Sequence, residues 1–216
     1  MRPRLLDLFC GAGGAAVGYH RAGFDVVGVD IRPQPRYPFE FHQADALTFP
    51  LDGYDAVHAS PPCQAYSIAT PDKSRHPDLY VPIRERLALS GVPWIIENVP
   101  GAPYRSGLTL CGSMFGLRVR RHRNFETSWL VLSPGCWHGD QGRVLGVYGD
   151  GGAEPEGYVR PSGGGGRKAP RAMWPQLLGM PWADWRDARE AIPPAYTEWI
   201  GAQLLAHLDA LSRRPA

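Results

Sequence analysis

The sequence is short of net charge, short of cysteine, and has no long apolar run. Twenty-three Lys and Arg against 21 Asp and Glu leave a formal charge of +2. Bulk electrostatics therefore make no case for a polyanionic partner, and any such case must come from local clustering. No apolar run approaches the roughly 20 residues needed to cross a bilayer. The apolar start, RLLDLF, is too short for a secretory leader and is interrupted by Asp7. A cytoplasmic chain without a membrane partner is expected, in a compartment where thiols stay reduced. The four cysteines, Cys10, Cys63, Cys111 and Cys136, lie far apart with no CxxC pair. That argues against a disulfide framework and leaves room for a reactive thiol. There is no internal repeat.

What is present reads as one globular unit: 216 residues, 44% hydrophobic and 20% charged, enough to bury a sizeable core. Short apolar segments alternate with helical ones. RLLDLF (Arg4–Phe9), FDVVGVD (Phe24–Asp30), FEFHQAD (Phe39–Asp45), YDAVHAS (Tyr54–Ser60) and PWIIENVP (Pro93–Pro100) read as strands. AAVGYHRAG, closed by Gly23, and VPIRERLALSG (Val81–Gly91) read as helices. This alternation predicts an α/β fold, doubly wound around a mostly parallel sheet. RRHRNFETSWLVL (Arg120–Leu132) reads as a pair of strands at the sheet edge. From Ser133 to about Pro170 the chain is glycine-rich and irregular, a loop or insertion. In the C-terminal stretch, Tyr196, Ile200, Leu204, Leu208 and Leu211 recur at spacings of four and three, one apolar face of a helix. Three regions are expected: 1–132, an insertion at 133–170, and C-terminal helices at 171–216 that pack back on the first.

Ligands of a doubly wound sheet bind at the carboxyl ends of its strands. Four features fall there: the glycine loop FCGAGG, Asp30, Asp45, and Cys63 in SPPCQAYS. Glycines allow close backbone approach to a ligand. Asp30 lies 19 residues after Gly11, the distance at which an acid reaches a ribose hydroxyl in dinucleotide folds. The loop alone suits a nicotinamide or an S-adenosylmethionine fold equally.

Further motifs are more selective. DLFCGAGG, PPCQAYS, IENVP, FGLRVRRHRNF (Phe115–Phe125), LLGMPWADW and EAIPPAYTEWIGAQL occur in that order along nearly the whole chain. Together they resemble the cytosine-C5-specific DNA methyltransferase family, whose fold is a Rossmann-like sheet of the S-adenosylmethionine-dependent type. The chemistry explains the combination. Carbon 5 of cytosine is a poor nucleophile, and addition of a thiolate at carbon 6 turns it into an enamine-like carbon able to attack a sulfonium methyl. Cysteine suits this, being both nucleophilic and a good leaving group.

The resemblance implies that Cys63 is the nucleophile and that Glu97 shares a proton with the ring, with a raised pKa. Arg123 would meet the base oxygen and help fix Glu97, and Arg121 would brace the cysteine loop or a phosphate. Val119 replaces the family's glutamine in the Gln-x-Arg-x-Arg motif. The implied cofactor is S-adenosylmethionine, lined by Phe9, Gly11, Gly13 and Pro61. Asp30 would bind its ribose and Asp45 its adenine amine, with Tyr196 and Thr197 closing the pocket. Tyr196 equally fits the core face of its helix, and Asp45 equally caps the turn at DALTF.

The implied partner is DNA with a flipped cytosine, contacted by Gln64, Ser67, Lys73 and Arg75 after the cysteine and by Arg160, Arg167 and Lys168 in the insertion. That insertion is under forty residues, short for a target-recognition region, so a short or relaxed site, or a specificity-conferring partner, is expected of a compact, monomeric modification-type enzyme. An RNA cytosine-C5 methyltransferase, a non-catalytic S-adenosylmethionine-binding subunit and, more distantly, a nicotinamide dehydrogenase are the alternatives. Cys136-Trp137-His138, with Cys111 and His122 elsewhere, matches no strong ligand spacing, and no metal site is expected.

Overall fold

The structure is a computed structural model that describes residues 1–139, 141, 144–147 and 168–213. Its centre is a seven-stranded sheet in the order β3-β2-β1-β4-β5-β7-β6. The strands are β1 (Arg4–Leu8), β2 (Asp25–Asp30), β3 (Glu40–Gln43), β4 (Ala56–Ala59), β5 (Trp94–Asn98), β6 (Leu108–Leu110) and β7 (Arg123–Thr127). Strands β1 to β5 pair in parallel, and β7 runs antiparallel between β5 and β6. The expected α/β, doubly wound, mostly parallel fold is therefore observed.

Side chains alternate across this sheet as the strand period of two requires. Leu5, Val26, Ala56 and Ile95 enter one apolar cluster with Tyr19, Phe24, Ile200 and Leu204. Their chain neighbours Leu6, Val27, Val57 and Ile96 enter another, with Tyr80, Ile83 and Leu87. The first face is covered by α1 (Gly14–Ala22) and α5 (Pro194–Ser212), the second by α2 (Tyr80–Ala88). Burial on both faces explains why these strands read as continuous apolar runs. Two short helices, α3 (Trp174–Leu178) and α4 (Trp185–Glu190), form a third cluster with Val119, Val147 and Met180. Among the described residues no helix is long and apolar enough to cross a membrane.

Helix α1 ends where expected: the Gly23 N–H returns to the carbonyls of Tyr19 and His20 with φ 121°. Close packing explains a second glycine. A Cβ on Gly18 would lie 2.0 Å from Thr197 Oγ1 and 2.2 Å from the Pro194 carbonyl, so α1 and α5 meet backbone to backbone. Thr197 Oγ1 donates to the Ala15 carbonyl at 2.8 Å across this seam.

The expected strand pair at 120–132 is corrected. Only Arg123–Thr127 is strand, and its hairpin partner is the three-residue β6 upstream. Arg118 to His122 is not part of a strand, although burial still alternates along it, with Val119 and Arg121 inside and Arg118 exposed. Arg121 is buried, whereas Arg120 reaches Gln141 Oε1 at 2.9 Å.

Candidate active site

The order of the sheet reverses between β1 and β4, and the crevice at their carboxyl ends is where a doubly wound sheet binds ligands. The loop after β1 enters it first. Phe9 has φ 58°, the one left-handed non-glycine among the described residues, a conformation that costs free energy and clusters at functional sites. Gly11 follows with φ 49°, and a Cβ there would meet nothing within 4 Å, so its backbone faces open space. Gly13, by contrast, would press a Cβ to 2.8 Å from Pro38 Cδ, so its place is set by packing. Asp30, at the end of β2, accepts from the N–H of Gly11 at 3.1 Å and of Arg32 at 2.9 Å. The acid thus holds the glycine loop in place through Oδ2, while Oδ1 takes the Arg32 N–H. Asp45 is exposed, and its Oδ1 accepts from the Leu47 N–H at 2.9 Å, capping the turn at DALTF.

Cys63 stands at the end of the loop from β4. Pro61 is buried, and its carbonyl accepts from Asn98 Nδ2 at 2.9 Å. The Cys63 carbonyl accepts from the N–H groups of Tyr66 (3.0 Å) and Ser67 (2.8 Å), which starts a tight turn. The thiol is half-buried, and burial pushes its pKa up, while Arg123 and Arg121 nearby oppose that shift.

Glu97 lies on β5, 6% exposed, and its Oε1 is 3.0 Å from Arg123 Nε. Antiparallel pairing of β5 and β7 brings them together: Asn98 faces Asn124 and Glu97 faces Phe125. Burial raises the Glu97 pKa against the lowering pull of Arg123, Arg121 and a hydrogen bond from Ser60, the direction expected from the sequence.

Three polar residues that sequence reasoning passed over extend this set. Tyr19 Oη and His58 Nδ1 are 2.9 Å apart, and His58 Nε2 lies 2.8 Å from Ser60 Oγ. Burial lowers the His58 pKa to about 3, so the ring is neutral. With its proton on Nε2, Tyr19 donates to Nδ1, Nε2 donates to Ser60, and Ser60 donates to Glu97. The signal was a histidine inside the fully buried strand Ala56–Ala59, two residues before the proline corner. Asp7, opposite His58 on β1, is wholly buried too. The Tyr37 hydroxyl is a polar neighbour of its carboxyl, too poorly aligned for a full hydrogen bond, and burial and Asp30 raise the Asp7 pKa well above the carboxylate range against the lowering pull of Tyr37.

Two expected roles are corrected. Tyr196 has no exposed surface and donates to the Arg121 carbonyl at 2.6 Å. It is a core residue of α5 rather than a wall of a cofactor pocket, and Thr197 is spent on Ala15. Arg121 makes its hydrogen bonds elsewhere than the expected cysteine loop or phosphate, while its charge still acts on Cys63. It is 8% exposed and donates to the carbonyls of Val147 (3.2 Å) and Arg189 (2.6 Å), tying the segment before β7 to the C-terminal helices. Val119 is buried among Trp174, Leu178 and Met180. Gln141 Nε2, from another segment, donates to the carbonyls of Leu117 and Val119, at 3.0 Å each.

Gln64, Ser67, Lys73 and Arg75 share the loop that follows Cys63. Gln64 Oε1 is unpartnered, Ser67 Oγ caps a local turn, and Lys73 and Arg75 are exposed, with Arg75 Nε 2.8 Å from Asp72. Lys168 bridges to Gly146, away from that loop in sequence. Arg160 and Arg167 lie outside the described residues.

The glycine loop, the proline–cysteine corner and the Glu97 strand thus meet at one end of one sheet, all within the first 101 residues. Residues 3–101 match the C-5 cytosine-specific DNA methylase family. Over that stretch the resemblance read from the motifs is borne out, and that family uses S-adenosylmethionine. The match to the C-5 methylase family ends just past IENVP, so Arg121, Arg123 and the C-terminal motifs lie beyond it. The solved structure of Dnmt2 methyltransferase from S. pombe is 14% identical over 97% of this chain and 100% of its own, with a TM-score of 0.62. The methyltransferase EhMeth of Entamoeba histolytica is 12% identical over 99% and 100%, with a TM-score of 0.54. Both share the fold. A prophage-encoded E. coli protein assigned as a DNA modification methyltransferase is 26% identical over 57% of this chain, with a TM-score of 0.45. This chain spans 45% of that protein's length. No curated protein matches the sequence.

Proposed function

We propose that this protein methylates carbon 5 of cytosine in DNA, using S-adenosylmethionine and a transient bond from Cys63 to carbon 6. The observation that carries the reading is the Glu97–Arg123 pair at 3.0 Å, near enough to act on the Cys63 thiol, with Glu97 on a strand whose next residue, Asn98, holds the cysteine corner. A binding-only subunit has no need of this set.

S-adenosylmethionine, when bound, supplies the methyl group. The residues that would hold it are Phe9, Asp30, the exposed Asp45, and Gly11, the backbone of which faces open space; Gly13 and Pro61 support that loop and corner from behind. Cys63 forms a carbon–sulfur bond at carbon 6 as its thiolate. Protonated Glu97 donates to ring nitrogen 3, accepting the electron density that the addition pushes into the ring. Arg123 donates to the base oxygen while keeping Glu97 in place. After transfer a water molecule takes the proton from carbon 5, and the electrons of that bond restore the carbon 5–carbon 6 double bond. The carbon–sulfur pair returns to Cys63, and ring nitrogen 3 gives its proton back to Glu97. The flipped base is admitted past the exposed loop bearing Gln64, Ser67, Lys73 and Arg75. The short insertion at 133–170, with Arg160, Arg167 and Lys168, makes few base contacts, each worth about 1–3 kcal/mol of discrimination, so the recognised site is short.

The test is transfer of label from S-adenosylmethionine to duplex DNA, single-stranded DNA and RNA, with Cys63→Ala as control. Label on duplex DNA that the alanine variant loses is expected. Label on RNA alone overturns the substrate, and equal label with the alanine variant overturns the mechanism.

A further inference from the structure

Four side chains that take no part in this chemistry converge at the far edge of the sheet. Cys111 follows β6, His122 immediately precedes β7, and Cys136 and His138 come from the segment after β7. Their sulfur and ring-nitrogen atoms all lie within 4.8 Å of one another. His138 Nε2 is 3.4 Å from Cys111 Sγ and 2.9 Å from Cys136 Sγ, and His122 Nε2 is 3.5 Å from Cys136 Sγ. We propose that Cys111, His122, Cys136 and His138 bind a structural zinc ion.

Distances support that metal. With Zn–S near 2.3 Å and Zn–N near 2.0–2.1 Å, a tetrahedral site has sulfur–nitrogen edges of about 3.5 Å. Two of the three contacts fall at that value, and the third is shorter. Both histidines present Nε2 to the sulfurs, and their rings stand at 68° to each other, as imidazoles on two vertices of a tetrahedron do. Two thiolates and two neutral imidazoles neutralise a divalent ion and suit zinc's preference for mixed sulfur and nitrogen donors. Binding releases the two thiol protons. Four protein ligands leave no open position, the mark of a structural rather than a catalytic site.

An outer shell is in place as well. Ser113 Oγ lies 3.3 Å from Cys111 Sγ and 3.7 Å from Cys136 Sγ, and hydroxyl donors of this kind orient thiolate ligands. Gly135, with φ 84°, turns the chain immediately before Cys136. The spacing in sequence hid the site: ten, thirteen and one residues separate successive ligands, and hairpin pairing of β6 with β7 is needed to unite the first two. The expectation of no metal rested on that spacing alone. The ion would clamp the start of β7, where His122 leads directly into Arg123, to the beginning of the insertion.

The decisive measurement is metal content by mass spectrometry on tag-free protein, purified under reducing conditions without chelator, together with cobalt titration of the chelator-stripped protein. About one zinc per chain is expected, with the visible bands of tetrahedral thiolate-bound cobalt. Cys136→Ser, at an exposed position, and His138→Ala should each weaken binding by more than about 100-fold while far-ultraviolet circular dichroism keeps its native form. Wild-type protein that carries no zinc and gives no tetrahedral cobalt spectrum overturns the proposal. So does isolation of the chain with a Cys111–Cys136 disulfide in place of the metal.

Discussion

Asn98 Nδ2 donates to the Pro61 carbonyl at 2.9 Å, so the strand that carries Glu97 also holds the corner that carries Cys63. The bond is buried, and the same side chain accepts from the Val99 N–H at 2.9 Å. Asn98→Ala leaves the buried Pro61 carbonyl and the part-buried Val99 N–H without partners, at a cost of about 1–3 kcal/mol in all. Urea denaturation should show a loss in that range. Turnover should fall further than KM rises, because small misplacements of a nucleophile are expensive.

The raised pKa of Glu97 has a direct kinetic consequence. The proposed mechanism uses its protonated form, so turnover should decline as pH rises through the folded pKa. Cys63 supplies the opposite limb, since the thiolate grows with pH, and the profile is bell-shaped. Glu97→Gln should lose the alkaline limb and lower turnover by about 10²–10⁴-fold. A variant with near wild-type turnover removes Glu97 from the chemistry.

Ser60 tests the buried chain from Tyr19 through His58 to Glu97. Its hydrogen bond favours ionised Glu97, so Ser60→Ala should move the alkaline limb to higher pH. A limb that stays in place, measured on kcat across the pH range, means that Ser60 does not reach Glu97 in solution.

Asp7 makes a prediction about stability. Its folded pKa is raised, so below the unfolded value near 4 both states hold the proton and nothing is lost. As pH rises from there to the folded pKa, the unfolded chain ionises first and stability drains away, at up to about 1.4 kcal/mol per pH unit. Asp7→Asn removes that slope. Melting temperatures of the two proteins should agree near pH 4 and separate in favour of the variant toward pH 8. A gap that does not widen with pH contradicts a neutral, buried Asp7.

Gly18→Ala drives a methyl group into the Thr197 hydroxyl and the Pro194 carbonyl. A loss of about 1–3 kcal/mol or more is expected from such overpacking, read by chemical denaturation. A neutral result would mean that α1 and α5 separate at little cost.

Much of this organisation was legible in the chain itself. The strands β1, β2, β4 and β5 are buried on both faces, so each announces itself as an apolar run ending in Gly, Asp, Pro or Glu-Asn at the ligand-binding end. Gly23 marked a helix stop because only a residue tolerant of its backbone angle fits there. What escaped depends on pairing between distant segments. Strand β6 has three residues and no periodicity to read, and β7 claims only part of the basic stretch. Tyr196 was legible as core, yet the partner of its hydroxyl, the Arg121 carbonyl, lies 75 residues away. His58 looked like one more member of a buried strand, because its partners come from α1 and from the turn two residues on.

The seam between Gly18 and Thr197 also bears on the order in which the molecule can be assembled during translation. Helix α1 follows the glycine loop at the beginning of the chain, yet the surface that covers it is α5, about 180 residues later. Until that helix leaves the ribosome, Tyr19 and Ala15 have no lid, and the loop at Gly11 hangs from an unpacked support. The methylase-like half is therefore completed only by residues made much later than itself, and a nascent chain halted at residue 101 would expose the apolar face that α5 is shaped to cover.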